Sequence, residues 1–267
     1  MRGRVALAVL LGWAGLALVG HWLPLAANRV DLAHILAAPG PDAWLGCDDL
    51  GRPVWDRLVA GASVSLLVAV PVVGLSLLVG APLGALSAWW GGAADHVITR
   101  LIDIFLAFPG LLLAIALAGT LGPGIDNVVV ALAAVGWVGF ARLARAQALS
   151  VKTRDHVQAA LALGVGETRI VFRHLLPLIA APLTVEATFA VAGAVTAEAG
   201  LSFLGLGVQP PTASWGSMIR DGTRYMLVAP HLLLAPGIAL ALVVLSVNLL
   251  GDHLRDRLDV RERASLR

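Results

Sequence analysis

Charged residues are scarce in this chain, and their scarcity excludes an ordinary soluble domain. Only 13% of the 267 residues are Asp, Glu, Lys or Arg, whereas soluble globular domains carry about a quarter. Hydrophobic residues make up 58% of the chain, and the mean hydropathy is +0.86. An apolar excess of this size is expected to face lipid, so the composition predicts a polytopic membrane protein.

Cysteine and lysine each occur once, and each near-absence excludes a kind of chemistry. Cys47 alone can form neither an internal disulfide nor a cysteine metal cluster. A phosphate-cradling P-loop ends in Gly-Lys followed by Ser or Thr, but Lys152 follows Val151. No side chains have the spacing of a nucleophile with its base or of a metal-ligand set. The sequence therefore predicts no enzyme, no metal site and no cofactor in this chain.

Long apolar runs separated by stretches rich in charge, Pro or Gly predict about six transmembrane helices, because each run suffices to cross about 30 Å of hydrocarbon. The runs lie near Val5–Leu25, Leu58–Trp90, Leu101–Leu121, Val128–Ala148, Leu175–Leu201 and Met226–Leu250. We expect the first run to be an uncleaved span, although it resembles a signal peptide. The Ala- and Gly-rich fifth run predicts an inner helix of the bundle.

The second run is long enough to raise a choice between one helix and a hairpin. A turn at Pro71 and Gly74 would invert every later loop. With a single helix and an inner N-terminus, all but five of the 19 Lys and Arg residues lie on the inner side. Basic loops are expected in the cytoplasm. The sequence thus predicts one overlong helix and cytoplasmic termini, and the basic residues report topology and not nucleic-acid binding.

About 27 residues between the fourth and fifth spans are too many for a simple turn. Asp155 is expected to cap a short helix over Gln158–Leu163, and Gly164 with Gly166 is expected to break it. A second amphipathic helix would run from Glu167 until Pro177 ends it and opens the next span. The hinged pair would serve either as a lever gripped by a soluble partner or as a surface resting on anionic headgroups.

The spacing in this segment resembles a known motif. Gln158-Ala159-Ala160, three residues, Gly164, nine residues, His174, one residue and Leu176-Pro177 is similar to the EAA loop of membrane subunits in bacterial ATP-binding-cassette importers. That family usually has Glu where this chain has Gln158. The RHLLP ending and three further stretches resemble the dipeptide, oligopeptide and nickel branch, in particular its C-type peptide permease subunit. The three stretches are LGCDDLGRPVWDRLVAGASVSL, GLSFLGLGVQPPTASWGSMI and VNLLGDHLRDRLDVR.

The resemblance implies an all-α polytopic fold of the type I importer kind with a cytoplasmic coupling-helix loop. Residues 1–44 would form the first span and the start of an outer loop, and residues 45–267 the permease domain, with the coupling loop at about 150–177. The implied location is the bacterial cytoplasmic membrane. The implied partners are a second homologous permease, two P-loop ATPase subunits or a fused pair, and an extracytoplasmic binding protein, with ATP and Mg on the ATPases.

Three sets of candidate site residues follow. The residues expected to couple to the ATPase are Gln158, Ala159, Ala160, Gly164, Arg173, His174, Leu176 and Pro177. The polar residues of the fifth span that are candidates for the translocation pathway are Glu186, Thr188, Thr196 and Glu198. The candidates for an outer gate or a contact with the binding protein are Asp48, Asp49, Trp215, Met218 and Arg220.

Alternatives stay open at this point. Importers of this branch carry dipeptides, longer peptides, nickel, haem or glutathione. An ion-driven secondary transporter would use Asp103, Glu186 and Glu198 as ion sites and would transport without ATP. Asp103 has a simpler explanation, since it would lie in the first turn of the third span beside Arg100. An intramembrane protease would need a catalytic pair that the Ser residues do not offer.

Overall fold

A computed structural model of the chain describes residues 2–265. The described part is helical and contains no β-strand. Four helices are long and apolar enough to cross a membrane: α2, Val54–Trp90; α5, Ile125–Val151; α9, Ala180–Phe203; and α11, His231–Ser265. A shorter apolar helix, α1 (Arg2–Val19), packs against α2 and α11. Arg267, one of the basic residues assigned to the inner side, lies outside the described residues.

The second span is one continuous helix, as predicted. Helix α2 runs without a turn through Pro71 and Pro82, and its 37 residues extend about 55 Å at 1.5 Å per residue. It begins at Val54, four residues before the predicted start. Its length lets it contact elements at both ends of the bundle, including α1, α3, α5 and α10.

The third span is not the single straight helix that was predicted. Helix α3 (Gly92–Leu106) and helix α4 (Gly110–Leu121) are bent by 86° at a short break. Pro109 lies at this break; proline has no backbone N–H, and it disfavours the helical conformation of the residue before it. Asp103 therefore lies in the last turn of α3 and not, as expected, in the first turn of a helix, and it is exposed.

The segment before α9 is helical almost throughout. Helices α6 (Asp155–Ala162) and α7 (Glu167–Ile170) are followed by a π-helical turn, Val171–Leu175, and the short helix α8 (Leu176–Leu178). Two predictions were wrong here. The cap position of α6 is Arg154 and not Asp155, which lies in the first turn. Pro177 does not open the span, because α9 begins only at Ala180 after a break at Ile179.

The two ends of the bundle carry different elements. At one end, Gly3 lies beside His253 of α11, and the ends of α5 and α11 meet the start of α9 around a shared cavity. At the other end, a loop over residues 20–53 and helix α10 (Trp215–Thr223) cover the bundle. We call these the coupling end and the loop end. The start of α1, the end of α11 and the start of α9 thus share one end, which agrees with the prediction that α2 is a single helix.

Candidate functional site

The candidate coupling surface is the α6–α8 segment, residues 155–178, which is fixed to the bundle by one apolar face. Val157, Ile170, Val171 and Leu175 are completely buried and belong to the main core cluster. The predicted opposite face is confirmed, because Arg169 and Arg173 are exposed. The segment is therefore a folded part of the protein whose outward surface carries these two arginines together with exposed apolar side chains such as Phe172.

The turn between α6 and α7 has the geometry of a glycine-terminated helix. The N–H of Gly164 donates to Leu161 O at 2.9 Å, and that of Val165 donates to Ala160 O at 3.1 Å. Gly164 has φ +75°, which suits glycine far better than other residues. A Cβ at Gly164 would meet no atom within 4 Å. Glycine is needed here for the backbone angle and not for space inside this chain.

The residues around this turn are open to a partner. Leu163, the residue before Gly164, is 83% exposed. Of the predicted coupling residues, the exposed ones are Gln158, Ala159, Gly164, Arg173 and Pro177, and the half-buried or buried ones are Ala160, His174 and Leu176. The motif therefore supplies both a face that packs inward and a face that is free to bind.

The predicted pathway residues are not brought together. Glu186 lines a cavity of about 360 Å³ between α5, α9 and α11, with Gln147 and Arg255 on its walls. Thr188 and Thr196 donate to the carbonyl oxygens of Val185 and Ala192 in their own helix, as hydroxyl groups in helices often do.

Glu198 lies elsewhere, buried at the loop end with 1% of its surface exposed. Ser202 Oγ donates to its Oε1 at 2.7 Å, and the hydroxyls of Ser65 and Ser214 face the same carboxyl group. Oε2 of Glu198 has no hydrogen-bond partner within the described residues. Glu198 is therefore enclosed where α9 packs against α2 and the start of α10, and it does not line an open path in this conformation, contrary to the prediction.

The face of α9 that carries small residues is open. A groove of about 250 Å³ runs between α2, α4, α5 and α9, and on α9 it is lined by Ala190, Gly193, Ala194 and Ala197. The inner position predicted for this span is met in part, because α9 packs against α2, α5, α10 and α11 but leaves this small-residue face uncovered. Small residues on an open helix face permit close approach of another helix in a membrane.

The predicted outer candidates are mostly buried, which removes them from a docking surface. Trp215 is 3% exposed, and its Nε1 donates to Leu58 O at 2.9 Å. Met218 is also buried and lines a small cavity. Only Asp49 and Arg220 are half-buried, and Arg220 Nε donates to Asp221 Oδ1 at 3.2 Å. A gating role for these residues stays a prediction.

Asp48 is the centre of an ion-pair network that the sequence did not reveal. Its Oδ2 accepts from Arg52 Nε at 2.7 Å and lies 3.3 Å from Arg57 Nε. Its Oδ1 accepts from the backbone N–H groups of Leu50 and Arg52 at 2.9 Å. Arg57 Nη1 also donates to Ala27 O at 3.2 Å. The i, i+4 spacing of Asp48 and Arg52 was the one local signal.

Taken together, the apolar helices long enough to cross a membrane, the open groove and the exposed turn are those of a membrane transport component. The model of the family described as binding-protein-dependent transport system inner membrane component matches residues 80–264. This chain belongs to that family. It is a multi-pass membrane protein, and the resemblance stated from its motifs is confirmed.

Named relatives cover almost all of the chain. A putative peptide transport system permease protein of Brucella suis biovar 1 (strain 1330) is 40% identical over 97% of this chain and 87% of its own length. A dipeptide transport system permease protein of Alkalihalophilus pseudofirmus is 37% identical over 98% and 88%. A glutathione transport system permease protein of Pectobacterium atrosepticum is 39% identical over 88% and 78%.

A solved structure shares the fold. The inward-facing MetNI methionine ABC transporter includes a chain that matches with a TM-score of 0.63 and 20% identity, over 76% of this chain and 97% of that one. Identity at this level shows the fold alone. The all-helical architecture of the type I importer kind is thereby confirmed.

Proposed function

We propose that this chain is a permease subunit of an ATP-driven importer for di- or oligopeptides and that it forms half of the translocation pathway. The peptide and dipeptide permeases that match nearly its whole length support this proposal. The glutathione permease supports a close variant, because glutathione is itself a small peptide. Nothing in the fold favours nickel or haem over peptides.

The observation that carries the proposal is the exposed turn at Leu163 and Gly164. Its root is buried among core residues, while its tip presents an apolar side chain and an open glycine. The turn joins an exposed tip to a buried base, so a partner that binds the tip can move the helices to which the base is fixed. A soluble ATPase that receives this turn in a groove would transmit its closure to the bundle.

The remaining partners follow from this assignment. We infer that the coupling end faces the cytoplasm, together with both termini, and that two P-loop ATPases bind Mg and ATP there. A second homologous permease would complete the pathway, in agreement with the open face of α9. An extracytoplasmic binding protein would deliver substrate to the loop end, as the family description indicates. ATP binding would turn the bundle outward, and hydrolysis would reset it.

Uptake by reconstituted vesicles tests the function. The complex of both permeases, the ATPases and the binding protein should import a labelled dipeptide only when ATP is supplied on the ATPase side. Dissipating the ion gradient should leave uptake unchanged. Competition with glutathione ranks the two substrates. Import by this chain alone, driven by an ion gradient, would instead support a secondary transporter.

Gly164 and Gly166 provide a matched pair for the coupling surface. Both are exposed, and a Cβ at either would meet open space, but only Gly164 has a positive φ. Gly164→Val should distort the turn and reduce ATP-driven uptake about tenfold, because a β-branched residue is strained at this angle. Gly166→Val should retain most uptake. Equal uptake by the two variants would contradict the role of the turn.

A further inference from the structure

The only lysine of the chain joins the end of α5 to the end of α2. Lys152 Nζ donates to the carbonyl oxygen of Trp89, and to that of Ala88 at 3.3 Å. The ammonium group also lies 5.3 Å from the centre of the Trp89 ring. These carbonyls belong to the last turn of α2, where no helical N–H is available and a cation is favourable. Lys152 therefore supplies hydrogen-bond donors to carbonyl oxygens in the last turn of α2 that have no partner within that helix.

A second junction lies one to two turns earlier on α5. Arg145 Nε and Nη2 donate to Oδ1 and Oδ2 of Asp95, each at 2.6 Å. Ser87 Oγ of α2 donates to the same Oδ1 at 2.5 Å. A two-point guanidinium–carboxylate pair fixes orientation as well as distance. The ends of α2, α3 and α5 are thus held by one carboxylate.

The coupling surface is tied to the same place. Gln158 Nε2 donates to the backbone oxygen of Lys152 at 2.8 Å. The buried side chains of Val171 and Leu175 belong to the core cluster that contains Ala88 and Trp89 of α2, and this turn packs directly against α2. A displacement of α6–α8 consequently reaches α2 through Lys152 and through apolar contact.

Helices α2 and α5 are in close backbone contact along their length. A Cβ at Gly84 would overlap the carbonyl group of Ala141, and one at Gly80 would meet Trp137 and Phe140. On α5, a Cβ at Gly136 would lie 2.5 Å from Ser76 Oγ of α2. Backbones this close cannot slide past each other easily. Motion received at one end of the pair would travel to the other end.

We propose that Arg145 and Lys152 are positioning residues that join the coupling surface, α2, α3 and α5 into one rigid body. We call the set Ser87, Trp89, Asp95, Arg145 and Lys152 the clamp. The proposal rests on the proposed function for the source of the motion, and it adds which helices move together. Helices α9 and α11 contribute no residue to the clamp.

Distance measurements on the full chain test the rigidity directly. Ala93, in the first turn of α3, and Ala162, the last residue of α6, are both exposed. Spin labels at Ala93→Cys and Ala162→Cys, in a Cys47→Ala background and in lipid nanodiscs, should give one narrow distance distribution. Arg145→Gln and Lys152→Met should each broaden it about twofold or more, which corresponds to a loosened two-state contact.

Arg142 supplies the control, because it lies on the same helix, is exposed, and has no ion pair in the described structure. Arg142→Gln should leave the distribution narrow. If the neutral variants fail to fold, Arg145→Lys replaces them, since it keeps the charge and loses one of the two hydrogen bonds. The proposal would be overturned if the distance distributions of the Arg145 variant and of the Lys152 variant were both as narrow as that of the parent chain.

Transport provides the second measurement. In the assembled complex, Arg145→Gln and Lys152→Met should raise the ATP hydrolysed per substrate imported about tenfold, a coupling change within the usual range. A role confined to stability would lower both activities together and leave this ratio unchanged, which would overturn the proposal. The label distances need neither ATPase nor substrate, so failure of the parent complex to import would count against the proposed function alone.

Discussion

The two ends of the bundle solve opposite problems. At the loop end, polar and charged groups are buried and paired, as Asp48 with Arg52 and Arg57 and as Ser202 with Glu198 show. At the coupling end, a leucine at the tip of an ordered turn is open. Apolar exposure itself does not distinguish the ends, because Trp22, Trp44 and Leu227 at the loop end are exposed as well. The ends differ in that the loop end carries a buried network of charged groups, whereas the coupling end carries an exposed turn whose base is buried in the core.

This difference shows two ways in which buried side chains hold a segment at the end of the bundle. A loop over the bundle has to bring its backbone polar groups together without a regular sheet, and buried ion pairs with directed hydrogen bonds achieve this. A surface that binds and releases a motor must remain accessible, so its stability has to come from the opposite face. The α6–α8 segment meets both demands through its fully buried valines, leucine and isoleucine.

The largest effect is expected from breaking the network of the loop end. Asp48→Ala leaves Arg52 and Arg57 buried without their main carboxylate, and removal of one member of a buried ion pair costs about 3–5 kcal/mol. Thermal unfolding of the purified chain, followed by tryptophan fluorescence, measures the loss. Asp42→Ala is the control, because Asp42 is exposed. Equal melting temperatures would show that the network does not hold the loop.

A smaller loss of stability is expected from a substitution where α2 and α5 are in close backbone contact, between the two ends of the bundle. Gly84→Ala pushes a methyl group into the Ala141 carbonyl, and overpacking of this kind costs about 1–3 kcal/mol. Gly74 lies on the same helix with open space around it, so Gly74→Ala should be neutral or stabilise the helix by up to about 1 kcal/mol. Unfolding in a graded detergent or denaturant series compares them. Similar losses in both variants would mean that α2 and α5 do not depend on close contact.

Periodicity and composition sufficed for the features that are local in the sequence. Two features were predictable from the sequence: the continuous helix α2, and the buried and exposed faces of the α6–α7 pair. Apolar spacing and Gly determine both within a few residues. The break in the third span also has a local cause, because Pro109 disfavours a continuous helix. It was not predicted, since the residues on both sides of Pro109 form one apolar run. The domain division at residues 44 and 45 stays a prediction.

Contacts between distant residues were not predictable. Asp95 and Arg145 are 50 positions apart, and no sequence motif links the two residues. Trp215 was expected at an outer gate or at a contact with the binding protein, but its indole N–H donates to Leu58 O, 157 positions away in the chain. Burial of this kind follows from how the helices pack, which a single sequence does not state.

The smallest expected effect compares the two ends through thiol chemistry, without loss of fold. Cys47 at the loop end is 6% exposed, and burial, followed by the neighbouring Asp48 charge, raises the pKa of its thiol. Less thiolate is then present at neutral pH, and the attacking reagent is also hindered. Maleimide labelling of the native chain should therefore be slow.

Leu163→Cys in a Cys47→Ser background should react about tenfold faster or more. Binding of the ATPase should suppress labelling at position 163, whereas it should leave the labelling of Cys47 in the native chain unchanged. Rapid labelling of Cys47, or a thiol at position 163 that the ATPase does not protect, would remove the distinction between the ends.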